Sequence, residues 1–197
     1  NPKVIDLFAG CGGLSLGLEQ AGFEPVFVNE LNINAMGTYL LNRSHLELSG
    51  NDGHSFDIKD VSSTKQTAQE FGRMIKEKHG EIALVCGGPP CQGFSGIGHR
   101  RTFNLTKEEM PTNHLYRDMA AVVESVAPKM FLFENVRGLL NSKWTASGEN
   151  GEIWRDVQKA FRDIEVSIRG KKYRYLIGWR LVFAKDFGVA QNRPRVI

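Results

Sequence analysis

The stretch Val4-Ile5-Asp6-Leu7-Phe8-Ala9-Gly10-Cys11-Gly12-Gly13-Leu14-Ser15-Leu16 decides how this chain folds. A short apolar run ends in a cluster of glycines, and a leucine-rich segment follows at once. The run predicts a buried strand over 4–8. The leucines at 14, 16 and 18, with Ala21 and the closing Gly22, predict a helix over 14–21. Glycines between a strand and a helix let the backbone come close to a ligand, and the helix start offers unpaired N–H groups to an anionic group. The dinucleotide fingerprint would want glycine at position 15, where Ser15 stands. The turn therefore points to a nucleotide-like cofactor of another kind, with a tight packing turn as the plainer alternative.

Outward from this stretch, strand and helix signals alternate. Strands are predicted over 25–29, 56–58, 82–86 and 130–133, and helices over 32–42, 64–78, 113–126 and 153–164. Residues 46–54 and 144–151 read as polar loops, and 93–111 as a long Gly-rich, basic connection. Residues 173–183 and 195 onward read as a last pair of strands. The pattern predicts an α/β fold with a mostly parallel sheet and helices on both faces.

Acids and a thiol stand at the predicted strand ends. Glu30 follows the second strand about 20 residues after the glycines, where a carboxylate accepts from ribose hydroxyls. Asp60 is assigned the analogous place after the third strand. Gly87-Gly88-Pro89-Pro90-Cys91-Gln92 sets a cysteine just beyond the fourth strand, behind two prolines that fix the chain. A thiol at the mouth of a site is a candidate nucleophile, and Cys86, inside an apolar run, is the pattern of a buried structural thiol. Glu134 follows the aromatic strand Phe131-Leu132-Phe133; partial desolvation there favours the protonated form and suits proton donation near neutrality. A structural ion pair is the competing reading. Gln191-Asn192-Arg193-Pro194-Arg195 sets two arginines on one face of an extended segment, suited to base carbonyls or phosphates.

Composition bounds the rest. The 197 residues suffice for one domain with a full core, here taken as 1–197. The net charge of +3 is too mild to prove a nucleic-acid partner by itself. No apolar run approaches the roughly 18 residues of a membrane helix. Three cysteines without a CxxC pair argue against a disulfide framework and a zinc site, so no metal and a reducing cytoplasm are expected. Asn1-Pro2 leads straight into a strand and Arg195-Val196-Ile197 reads as a strand just begun, so the sequence is expected to be part of a longer chain.

Taken together, the DLFAGCGGLSLGLEQAGF run, the GGPPCQGFS run, Glu134-Asn135-Val136 and QNRPR resemble, in order and spacing, the DNA (cytosine-5) methyltransferase family. The resemblance implies a Rossmann-like methyltransferase fold, cut before the family's target-recognition domain. It implies S-adenosyl-L-methionine as cofactor, held by Asp6, Phe8, Ala9, Gly10, Gly12, Gly13, Glu30, Leu31, Asp60, Val61, Pro89 and Leu115. Cys91 would attack C6 of a cytosine flipped out of double-stranded DNA, and Glu134 would bond its N3. Gln191, Arg193 and Arg195 would shape the base pocket. Residues 95–112 would close over the base, with Gln92, Ser95, His99, Arg100, Arg101 and Arg193 on the nucleic acid. The expected product is S-adenosyl-L-homocysteine, the expected state a monomer, and the expected setting a bacterial restriction–modification or orphan enzyme rather than a nuclear eukaryotic one. Departures are Ala190, where a proline is frequent, and the missing recognition domain. A tRNA-cytosine methyltransferase, a fragment that only binds cofactor and an NAD oxidoreductase are the alternatives; Gly93-Phe94-Ser95 after Cys91-Gln92 favours the DNA enzymes.

Overall fold

The computed structural model describes residues 1–50, 52–90, 111–145 and 147–197. Five strands, β1 (Lys3–Leu7), β2 (Glu24–Asn29), β3 (His54–Ser55), β4 (Leu84–Gly87) and β5 (Met130–Phe133), form one sheet in the order β3-β2-β1-β4-β5. All four pairings are parallel. The strand order reverses between β1 and β4, and the carboxyl ends of the strands on either side of that point frame a crevice, the usual ligand position in open α/β sheets.

Alternation along each strand decides which helices cover which face. Ile5 and Leu7 of β1 pack with Phe71 and Ile75 of α4 (Lys65–His79), with Met119 and Val123 of α5 (Leu115–Val126), and with α6 (Glu152–Arg162). Val4, Leu84 and Cys86 turn to the other face and meet Leu14 and Leu18 of α1 (Gly13–Gln20). Val28 meets Met36 and Tyr39 of α2 (Ile33–Leu41). Helices thus lie on both faces of a parallel sheet, as the alternating pattern requires.

Caps fix the helix starts. The Asn32 side chain accepts from the N–H groups of Asn34 and Ala35 at the start of α2, and Thr64 accepts from Thr67 at the start of α4. Gly80, at φ +73°, ends α4.

Two expectations are corrected. The third strand is His54–Ser55, not 56–58: Asp57 turns the chain, its Oδ1 accepting from Lys59 N at 2.9 Å, and α3 (Lys59–Ser62) begins at once. Residues 173–183 are not one strand. β7 (Glu165–Ile168) and β8 (Lys171–Arg174) form an antiparallel hairpin across Arg169 and Gly170, whose φ values of +51° and +77° suit a two-residue turn with right-handed strand twist. β9 (Leu181–Phe183) pairs instead with β10 (Pro194–Val196), which also pairs with β6 (Asn135–Val136). The β7–β8 hairpin packs near the far end of α5, away from the strand carboxyl ends. Two of its basic side chains, Lys172 and Arg174, pair with Glu165. Among the described residues, no helix is long and apolar enough to cross a membrane.

Candidate active site at the strand carboxyl ends

Four of the five parallel strands bring a glycine turn or an acid to the same edge of the sheet: the turn 8–13 after β1, Glu30 after β2, Asp57 after β3 and Glu134 after β5. After β1, Phe8 takes the left-handed conformation at φ +56°, which costs an L-residue roughly 1–2 kcal/mol. Bonds at the next residue hold it: Ala9 N donates to Asn29 O at 3.0 Å, and Gly12 N donates to Ala9 O at 2.9 Å. Gly10 (φ +56°) has no atom within 4 Å of where a Cβ would stand, so its surroundings are open. Gly12 (φ +89°) is the opposite: a Cβ would lie 2.5 Å from Arg43 Nη1 and 2.7 Å from the Tyr39 ring. Gly10 therefore leaves the loop open, whereas Gly12 is a packing glycine that lets α2 close on the loop.

Beneath the loop lies a buried polar cluster. Asp6 is fully buried; it accepts from Ser15 Oγ at 2.5 Å and from Cys86 Sγ at 3.5 Å, and Ser15 Oγ also bonds Tyr39 Oη at 2.7 Å. The expectation that Asp6 touches a cofactor is corrected: its carboxyl is sealed on the α1 side and supports the turn from below. Burial raises its pKa from 3.8 to about 6, against the lowering effect of the Ser15 and Cys86 bonds. The serine at the place of a third fingerprint glycine is this carboxyl's partner. Burial, then the Asp6 charge, pushes the Cys86 thiol far up, in keeping with a structural thiol. Arg43 closes the cluster. It is buried, donates to both oxygens of Glu19 and to Gly12 O, and lies 4.1 Å over the Tyr39 ring.

After β2, Glu30 accepts from Gly10 N through Oε2 and from Asn32 N through Oε1, both at 2.8 Å. Each carboxylate oxygen has two lone-pair sites, so acceptor capacity remains for hydroxyls. Leu31 is 73% exposed beside it. After β3, the side chain of Asn29 donates to Ser55 Oγ and to Phe56 O, tying the start of the next loop to the end of β2. The acid that follows on that loop is Asp57. Asp60, exposed on α3, lines a hollow with His54, Ser55 and Phe56 at the end of β3 and with Thr67, Glu70 and Arg73 of α4, and Val61 borders the same hollow while packing into the core. With the strand at His54–Ser55, Asp57 is the first acid after it.

After β4 and β5 the geometry tightens. Glu134 Oε1 pairs with Arg195 Nε at 2.6 Å. Its Oε2 lies across Gly88, 2.7 Å from where a Cβ would stand, so a side chain at position 88 would push this carboxylate from its place. Asn135 Nδ2 donates to the carbonyl of buried Pro89 at 3.0 Å, which ties the end of β5 to the chain leaving β4. Glu134 thus sits in an ion pair rather than in a merely desolvated strand end. Antiparallel pairing of β10 with β6 sets Arg195 opposite Val136 and so next to Glu134. Arg193 and Gln191 are exposed just before β10, and Leu115 opens α5 half-buried. Cys91, Gln92, Ser95, His99, Arg100, Arg101 and the 95–110 part of the expected closing segment lie outside the described residues. Among the described residues, no group of three or more His, Cys, Asp or Glu could hold a metal ion.

Sequence reasoning did not find Asn135 as the tie to Pro89, Arg43 as the clamp on Gly12, or Asp118. Asp118 is buried on α5 and accepts from Lys59 Nζ at 2.6 Å and Ser62 Oγ at 2.8 Å. Only an apolar helix face interrupted by a lone acid hinted at it.

Comparison with known proteins identifies the family. The sequence profile of the C-5 cytosine-specific DNA methylase family matches residues 2–197. The type II methyltransferase M.AquIA of Picosynechococcus sp. is 31% identical over 194 residues, covering 98% of this chain and 69% of the relative. M.XorII of Xanthomonas oryzae pv. oryzae is 33% identical over 196 residues, covering 100% of this chain and 39% of the relative. A solved E. coli structure, described as a DNA modification methyltransferase encoded within a prophage, superposes with a TM-score of 0.67 at 26% identity, covering 100% of this chain and 45% of that one. The Dnmt2 methyltransferase of S. pombe, 20% identical with a TM-score of 0.58, shares the fold over 99% of this chain and 48% of its own. The sequence thus spans much less than the full length of most of these relatives, and it belongs to the C-5 cytosine-specific DNA methylase family.

Proposed function

We propose that this chain is the catalytic part of a DNA (cytosine-5) methyltransferase, which transfers a methyl group from S-adenosyl-L-methionine to C5 of a cytosine turned out of double-stranded DNA. One observation carries the reading: Glu134, held by Arg195, lies over Gly88, and Asn135 binds the carbonyl of Pro89, two residues before Cys91.

The crevice fits the cofactor. Gly10 leaves room at the β1 turn, Glu30 has acceptor sites left for ribose hydroxyls, and Leu31 offers an apolar surface beside it. Asp57, on the loop pinned by Asn29, is the acid assigned to the adenine amino group, in place of Asp60. Phe8, Ala9, Gly13, Pro89 and Leu115 are assigned to the same pocket. Asp6 and Gly12 shape the loop from behind, through Ser15 and through Tyr39 with Arg43. When bound, the cofactor supplies an electrophilic methyl group.

The chain's own residues make the base able to receive it. The C5 carbon of cytosine is a weak nucleophile. Addition of the Cys91 thiolate at C6 forms an S–C6 bond and moves electron density to C5. Glu134 is assigned to bond the ring at N3 and to offset the negative charge that develops there. Arg195 fixes the carboxyl by a charge-assisted bond, so that the group is already oriented. Once C5 carries the methyl group, a base such as water takes the C5 proton, the C5–H electron pair re-forms the C5–C6 double bond, and the S–C6 bond breaks to release the Cys91 thiolate. The base must leave the stack first, because its faces are covered inside the duplex. Arg193 and the His99-Arg100-Arg101 run are assigned to DNA contacts.

The test is covalent trapping on duplex DNA carrying 5-fluorocytosine, where fluorine at C5 blocks the last elimination. A cofactor-dependent protein–DNA adduct that is lost in Cys91→Ser is the expected result. An undiminished adduct in Cys91→Ser would refute the assigned nucleophile.

A further inference from the structure

We infer that Asp118 is a positioning residue for Asp57, acting through the four-residue helix α3. The inference rests on the reading of Asp57 as the contact to the adenine amino group.

Asp118 stands in the first turn of α5, one turn after Leu115, and is 6% exposed. A carboxylate is buried only where it is paired and hydrogen-bonded. Both bonds of its Oδ1 cross to α3, one from Lys59 Nζ at 2.6 Å and one from Ser62 Oγ at 2.8 Å. Helix α3 is a single turn, far too short to hold itself by its own hydrogen bonds, so its position comes from what it packs and bonds against.

Lys59 is the link. Its side chain is bound by Asp118, and its backbone N–H donates to Asp57 Oδ1 at 2.9 Å. The N–H of Asp60 donates to the carbonyl of Asp57 at 3.0 Å, so α3 holds both ends of that residue. On the other side the loop is fixed at Phe56 O by Asn29. Asp57 thus lies between an anchor on β2 and an anchor that runs through α3 to α5. The same turn of α5 carries Leu115, so Asp118 sets the spacing between two walls of the crevice. Removing its charge leaves Lys59 without its buried partner and loosens the helix start that aims Asp57.

A merely structural Asp118 and a positioning one differ in which ligand they affect. General loosening weakens every ligand of the crevice alike. Misdirection of Asp57 weakens only the bond to the adenine amino group. The experiment is calorimetric binding to the full chain of two ligands, S-adenosylhomocysteine and its inosine analogue, in which an oxygen replaces that amino group. Wild type is expected to prefer the amino-bearing ligand. Asp118→Asn is expected to lower that preference by about tenfold, mainly through a weaker Kd for S-adenosylhomocysteine. Ser62→Ala removes one of the two bonds without touching a charge and is expected to lower it in the same direction by less, which keeps the test open should Asp118→Asn unfold. A parallel loss of both ligands, or an unchanged preference in both variants, overturns the positioning role and leaves the cofactor reading standing. Absence of any preference in wild type overturns the Asp57 assignment and this inference with it.

Discussion

Gly10→Ala and Gly12→Ala, two changes of identical chemistry two residues apart, separate the two jobs of the glycine turn. Both residues have positive φ, +56° and +89°, so each alanine carries a conformational cost of about 1–2 kcal/mol. Gly10 bears little beyond that, since nothing lies within 4 Å of its new Cβ. At Gly12 the Cβ would stand 2.5 Å from Arg43 Nη1 and 2.7 and 2.9 Å from two Tyr39 ring carbons. Neither neighbour yields readily. Arg43 is fixed by Glu19, by Gly12 O and by the ring it covers, and Tyr39 is fully buried with its hydroxyl bonded to Ser15. Overpacking of this kind adds about 1–3 kcal/mol. The expected loss is thus about 2–5 kcal/mol for Gly12→Ala, a large part of a typical domain's 5–15 kcal/mol, roughly. Urea unfolding of the two variants and wild type, with slopes compared to confirm two-state behaviour, measures the difference. Equal midpoints for the two variants would falsify the assignment of Gly12 to packing. Calorimetry with S-adenosylhomocysteine adds the converse: Gly10→Ala is expected to weaken the ligand more than it weakens the fold.

Other perturbations probe the remaining groups. Asp6 has a folded pKa near 6 against 3.8 when unfolded, so the folded state keeps its proton to higher pH. Its contribution is therefore full below about pH 4 and falls as pH rises to about 6–7, by at most about 3 kcal/mol; Asp6→Asn should flatten that part of the stability–pH curve, and an unchanged slope would clear Asp6 of the effect. Glu134→Gln is expected to lower the single-turnover rate about 10²-fold or more while S-adenosylhomocysteine still binds; a wild-type rate would remove Glu134 from the chemistry. Gly88→Ala should slow the same step by displacing the Glu134 carboxylate, and wild-type kinetics would show that the carboxylate's place over Gly88 is immaterial. Asp57→Ala should weaken S-adenosylhomocysteine by about 1–3 kcal/mol and Asp60→Ala far less; the reverse order would restore the adenine contact to Asp60.

What could be read from the sequence, and what could not, divides along the range of the interactions. The glycine turn after an apolar run, the alternation of strand and helix, and the places of Glu30 and Glu134 just past strand-like runs were legible, because each depends on neighbours within a few residues. So was the helix end at Gly22, which follows from glycine's freedom at positive φ. The strand at His54–Ser55 was misplaced because two residues carry almost no periodicity, and an acid at Asp57 both ends the strand and begins the next turn. The break in 173–183 falls at 175–180, because β8 pairs back with β7 whereas β9 pairs with β10, a choice of partner that local strand propensity does not carry.

Only the tertiary structure decided what each residue does for its neighbours across the fold. It gave Asp6 to Ser15 and Cys86, Gly12 to Tyr39 and Arg43, Asp118 to Lys59 and Ser62, and Glu134 to Arg195, 61 positions later in the chain. These partners are chosen by which strand and helix faces meet. A chain's local pattern fixes its faces, and the packing of the sheet against its helices fixes which faces come together.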